Sequence, residues 1–306
     1  MDCRRSFAAF LIALASLGAT ASKEFPIREA RWIAPERRLA ALTTISSECF
    51  DPDAAKDRQS AEIGRIAFRA PLLLGGQASR AGLSCASCHR NGRGNPDFQF
   101  PGLSGPPGTA DVTSSLMSKS RGDGQFNPKP IPDLARDAPK VSHDTRREDL
   151  RRFIRGLVVE EFDGPEPPAA LLDGLTSYVR ALRVAACPVA DTRPITFQND
   201  WEFVTASLSR ALASDRTGDR ATAAMLFSAS RSLLGTMSER FSGRADKPII
   251  ALSRAIAAHI SGPDADARLM LNADALGKQL RQMERQSLYN PDKLARALGS
   301  TRVEKF

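Results

Sequence analysis

The sequence predicts an all-α fold, and three observations carry that expectation. Apolar residues recur at i, i+3, i+4 and i+7 in the segments that show periodicity. Those segments begin at capping residues or proline and stop at glycine or proline. Residues 195–306 consist almost wholly of such segments joined by short connections, which favours antiparallel packing as a bundle. At 306 residues the chain has room for one large domain or two of ordinary size.

Residues 1–22 read as a secretory leader. Arg4 and Arg5 make a basic start, Phe7 to Leu17 an apolar run, and Ala19-Thr20-Ala21 a small-x-small cleavage site. No later segment approaches the roughly 20 apolar residues that a transmembrane helix needs. The mature chain is therefore expected to be exported, to a periplasm or beyond the cell, with no membrane span. Residues 23–59, containing Pro26 and Pro35, read as an irregular arm with one short helix around Glu36 to Ser46. A helix then follows Ser60 as N-cap, with Ile63, Ile66 and Ala67 at helical spacing, and stops at Pro71. The stretch LLLGGQASRAG reads as a loop that delivers the chain to Cys85.

From Arg90 to Lys140 glycine, proline, asparagine and serine are too dense for a long helix or strand. Some 50 residues of irregular chain inside a compact domain need something to wrap around, and a large apolar cofactor would serve. Two helical stripes follow. The first is Leu150, Phe153, Ile154, Leu157 and Val158, ending near Gly164-Pro165; the second runs from Pro168 through Leu171, Leu172, Leu175, Tyr178, Val179 and Leu182. Residues 190–194 (ADTRP) read as a boundary between a unit over 23–190 and one over 195–306. Helices are expected over 199–215, 219–241, 247–260 and 265–288, with a short one after Pro291. Gly218-Asp219 followed by Ala223 and Phe227 resembles one unit of a tetratricopeptide repeat; no second unit is visible, so an ordinary bundle is expected.

The formal charge is +8 and falls by one when the leader removes Arg4, Arg5 and Asp2. Basic residues are interspersed with acidic ones, as in RREDLRRFIRG, and no basic run is interleaved with aromatics. This argues against nucleic acid and for a solvated basic surface that could steer an acidic partner. Of the five cysteines, Cys3 leaves with the leader. Cys49 and Cys187 form an even pair and are a disulfide candidate in an oxidising compartment.

Cys85 and Cys88 belong to the motif GLSCASCHRNGRG, in which His89 follows the second cysteine. Two cysteines at this spacing can form thioethers to the two vinyl groups of one porphyrin, and the next residue then falls under the iron. Zinc would want a second ligand pair, and a thioredoxin-like motif would sit in a βαβ setting; neither is present nearby. The expectation is one covalent haem c, with His89 as proximal iron ligand. For the opposite side of the iron the candidates are Met117, in the irregular segment, and His143, just before a helix. An iron with no protein ligand there is equally open. His259, Met225, Met237, Met270 and Met283 fall in the C-terminal helices at core spacing, where packing explains them.

AEIGRIAFRAPLLLGGQASRAGLSCASCH resembles the helix and loop leading into a haem of the di-haem cytochrome c peroxidases and their methylamine-utilisation relatives. Val141-Ser142-His143-Asp144 is similar to that family's Phe-His-Asp-Gly segment, and Leu171 to Leu182 to its closing helix. The resemblance covers roughly residues 60–185 and implies a cytochrome c-like haem domain followed by the helical bundle. It departs in three ways. Only one haem motif is present; the position aligned with the sixth-ligand Met or Tyr is Leu157; and the position of the peroxidatic domain's ligand histidine is Gly105. Glu160 and Glu161, the nearest acidic pair, read as solvent-facing. Peroxidase chemistry is therefore not carried over residue by residue, and no catalytic residue is assigned. The expected function is electron transfer to or from a redox partner protein. The alternatives are a peroxidase-like haem enzyme with an open or weakly ligated iron, and a haem-based sensor or partner-binding protein.

Overall fold

The structure, a computed structural model, describes residues 25–55, 57–136, 147–241, 246–260 and 266–300. The leader over 1–22 lies outside them. The described chain is mostly helical, with two short antiparallel ladders. No described helix is long and apolar enough to cross a membrane.

The arm folds as two 3-10 turns, Arg28–Trp32 and Pro35–Arg37, then helix α1 over Arg38–Thr43 and strand β1 over Thr44–Ser46. The helix expected to reach Ser46 ends early for a local reason. The hydroxyls of Thr43 and Thr44 bond back to the carbonyls of Leu39 (2.7 Å) and Ala40 (2.9 Å), and the chain leaves extended. Helix α2 spans Arg58–Ala67, and its N-cap is Asp57, not Ser60. The Asp57 carboxylate accepts from the amides of Gln59 (2.9 Å) and Ser60 (3.2 Å), which also places a negative charge at the positive end of the helix.

The stretch after Pro71 is more regular than a loop. A 3-10 turn over Pro71–Leu73 and helix α3 over Gly76–Ala81 precede Gly82, whose φ of 78° ends the helix in the left-handed conformation. Helix α4, Cys85–Cys88, is a single turn. Up to residue 136 the only further regular structure is a turn at Arg90–Gly92 and the pairing of β2 (Thr109–Ala110) with β3 (Lys129–Pro130). Buried Asp111 organises this segment, accepting from the Thr113 hydroxyl (3.0 Å) and the Asn127 amide (3.2 Å).

Helix α5 covers Arg147–Gly156 and continues as one π-helical turn over Leu157–Glu161; α6 covers Ala169–Ala181 behind Pro168. Phe153, expected in the apolar stripe, is 46% exposed. Helices α2 and α6 cross where Gly64 meets Gly174: a Cβ on Gly64 would lie 1.9 Å from the Gly174 carbonyl oxygen.

Residues Thr192–Pro194, read as a boundary, form β4 and pair with β1, Thr44 opposite Pro194 and Ser46 opposite Thr192. Beyond them run α7 (Phe197–Arg216), α8 (Arg220–Arg240), α9 (Asp246–Ile260), α10 (Asp266–Met283) and α11 (Pro291–Ser300). Thr196 and Asp219 cap α7 and α8 through the amides of Asn199 and Thr222. One apolar cluster continues from Cys49, Leu73 and Tyr178 through Phe197 and Leu226 to Tyr289. A smaller one joins Ile27, Ile33 and Leu42 of the arm to Leu294 of α11.

Candidate functional site

The turn bearing the two cysteines is tied down on both sides. The Ser84 amide donates to the Ser87 hydroxyl (3.0 Å), the Ala86 amide to the Phe68 carbonyl at the end of α2 (3.0 Å), and the Asn95 side chain to the Ser87 carbonyl (2.8 Å). Cys85 and Cys88 are half-buried free thiols, packed on the main apolar cluster. Burial pushes both thiols up to about 12. A thiol held that firmly protonated is the opposite of the activated thiolate found in redox Cys-x-x-Cys motifs. Among the described residues, no three His, Cys, Asp or Glu side chains converge as metal ligands. Cys49 and Cys187 are joined as a disulfide, S–S 2.04 Å.

His89 ends the turn, its amide donating to the Cys85 carbonyl (2.8 Å). Its Nδ1 lies 3.0 Å from the Pro132 carbonyl oxygen. A carbonyl can only accept, so Nδ1 carries the proton and Nε2 of the neutral ring keeps its lone pair. The ring stays neutral to about 4, because burial outweighs the Pro132 carbonyl and the Asp133 charge. Pro132 is held in turn. Asp133 pairs with Arg93 (2.7 Å), and the Leu134 amide donates to the Gly92 carbonyl (3.1 Å). Arg93 also donates to the sulfur of Cys49 (3.2 Å), so the disulfide and the histidine's support share one guanidinium.

Behind the turn sits a buried charge cluster. Glu48 receives Arg65 (2.5 Å), Arg69 (3.4 Å) and the Tyr178 hydroxyl (2.7 Å). Burial pushes the Glu48 carboxyl up, but the two guanidiniums and the hydrogen bonds prevail and hold it at about 2. Arg69 reaches on to Asn91 (2.7 Å), whose φ of 52° turns the chain out of the histidine segment.

Met117 is 1% exposed and belongs to the same apolar cluster on which Cys85 and Cys88 pack. The next residue, Ser118, donates its hydroxyl to the Glu160 carbonyl (2.7 Å), which fastens the Met117 segment to the π-helical turn. His143 lies outside the described residues. Leu157 opens the π turn, half-buried. Glu160 is exposed and paired with Arg121, but Glu161 does not face solvent: it is buried, burial raises its pKa, and its Oε2 has no hydrogen-bond partner among the described residues. Position 161 continues the stripe of Ile154, Leu157 and Val158 at i+7, i+4 and i+3, so the periodicity already placed it on the inward face. Pro132 and Arg93 carried no comparable signal, because their roles depend on a loop closing onto the motif from some 40 residues away.

No family model, no curated protein and no solved structure matches the chain.

Proposed function

We propose that the chain is an exported mono-haem c-type cytochrome of cytochrome c-like fold that transfers single electrons. One observation carries this reading: His89, directly after two free thiols one helical turn apart, has Nδ1 committed to the Pro132 carbonyl and Nε2 left unprotonated. The residues fit a covalent haem. Cys85 and Cys88 would form the two thioethers, and Nε2 of His89 would bind the iron, its ring orientation and tautomer set by the Pro132 carbonyl. The haem, when bound, supplies a one-electron couple. What the chain itself does is hold the imidazole, through Arg93, Asp133 and Pro132, and bury the attachment turn against apolar packing. Met117 and His143 are the candidates for the sixth position. The net charge, +8 for the full chain and +7 without the leader, fits an acidic redox partner protein.

A second reading, a peroxidase-like haem enzyme, is favoured by Leu157, which cannot ligate iron, and by Glu161, a buried carboxyl whose pKa burial raises although Arg121 lies 3.6 Å from it. The visible spectrum of the purified protein separates the two. A low-spin iron insensitive to carbon monoxide is expected for the electron carrier; a high-spin iron that binds carbon monoxide and reacts with peroxide would establish the second reading. Cys85→Ala combined with Cys88→Ala is expected to abolish covalent haem, and haem that stays covalently attached would sink both.

A further inference from the structure

The face of α4 turned toward the bundle, with Ala86 and Ser87, lines a cavity of about 250 Å³. The arm closes it on one side and α7 and α8 on the other. Its apolar wall includes Trp32, Phe98, Ile195, Phe203, Leu233 and Met237. Its charged wall contains more cation than anion. Arg28 is paired with Glu239 (2.8 Å), Arg90 with Glu29 (3.2 Å) and Arg69 with Glu48 (3.4 Å). That leaves Arg193 and Arg240 facing one carboxylate, Asp200, which already accepts from the Tyr289 hydroxyl (2.7 Å). Arg240 is bound to the carbonyls of Leu288 (3.2 Å) and Leu42 (3.0 Å). The side chain of Arg193, half-buried on β4 where the backbone pairs with Ile45, makes no hydrogen bond and no direct ion pair among the described residues, though its charge acts on Asp200.

We propose that this cavity binds a small monocarboxylate with an apolar body, its carboxylate paired with the guanidinium of Arg193. The wall carries five arginines against three carboxylates, an excess of positive charge only partly offset by Glu48 behind it, which Arg65 shares; this excess suits an anion, and a guanidinium presents a planar fork that suits a carboxylate. The apolar wall would leave a phosphate dianion poorly solvated, whereas it suits a ring or short alkyl chain. The volume of about 250 Å³ lies just below that of common ligand sites, about 300–1,000 Å³, so the ligand is a single ring or a short chain. The site gives the bundle a task, since α7 and α8 supply Asp200, Phe203, Leu233, Met237 and Arg240. It stands independently of the haem reading.

The test is calorimetric titration of the full-length protein with benzoate, with benzyl alcohol as neutral counterpart and inorganic phosphate as hydrophilic anion. Saturable one-to-one binding of benzoate is expected, with weaker or no binding of the other two. Arg193→Gln is expected to weaken benzoate by about tenfold or more, the worth of one charge-assisted hydrogen bond. Should that variant not fold, Thr236→Trp carries the test: residue 236 is exposed on the cavity rim, and the indole is expected to block benzoate. No saturable binding to the unmodified protein, equal affinity for benzyl alcohol or phosphate, or unchanged benzoate affinity in either folded variant would each overturn the proposal.

Discussion

Glu48 shows how a single buried carboxylate can govern stability against acid. Its pKa is depressed from 4.5 to about 2, so the folded state binds fewer protons than the unfolded state between those values. The stabilisation is complete above 4.5 and is lost as pH falls toward 2, amounting to about 3 kcal/mol. Urea unfolding across that range should show this acid limb, and Glu48→Gln should remove it. The same variant leaves Arg65 and Arg69 buried without their counter-charge, and at neutral pH should cost about 3–5 kcal/mol. Arg93 is a second such residue. Arg93→Ala uncouples Asp133 from the turn that carries His89 and should cost about 1–3 kcal/mol; under the proposed haem function it should also shift the midpoint potential, which a purely structural role would not do.

At the scale of elements, the crossing of α2 and α6 sets the frame from which the cysteine turn is hung, because Phe68, at the end of α2, accepts the Ala86 amide. The crossing is close because two glycines meet. Gly64→Ala would put a Cβ 1.9 Å from a backbone oxygen that cannot rotate away, and should destabilise by about 3 kcal/mol or more. Gly174→Ala, with its nearest contact at 2.8 Å, should cost less; the reverse order in denaturant unfolding would contradict this account of the crossing. The one π-helical turn after α5 belongs at this scale too. It lies where the Met117 segment attaches and where Glu161 is buried, and such turns are common at functional sites.

Across the whole molecule, the disulfide ties the two flanks of the segment that carries Cys85, Cys88 and His89 over a sequence separation of 138 residues. On chain-entropy grounds a closed loop of that length is worth about 5 kcal/mol. Cys49→Ala with Cys187→Ala should lose a comparable amount by denaturant unfolding, while an unchanged midpoint would show the bond is dispensable. The β1–β4 ladder runs beside it, from Thr44–Ser46 to Thr192–Pro194, and both closures bring the arm next to the start of the bundle. The cavity behind α4 exists because of that closure.

Much of the framework was legible in the residues themselves. Helical spacing and Gly or Pro stops placed α5 to α11 to within a few residues, since those signals are local and repeat along the chain. The Cys85, Cys88 and His89 motif was legible because its residues lie within five positions of one another. Local chemistry also decided where sequence reading erred: competing caps at Asp57 and Ser60, and threonine back-bonding at the end of α1. Only the tertiary structure decided which carbonyl holds His89, that Arg93 serves both Asp133 and the disulfide, and that Arg193 and Arg240 face a cavity with a single carboxylate, Asp200, between them. Those facts join segments tens to more than a hundred residues apart, and neither periodicity nor motif spacing reports such distances; chain closure by packing does.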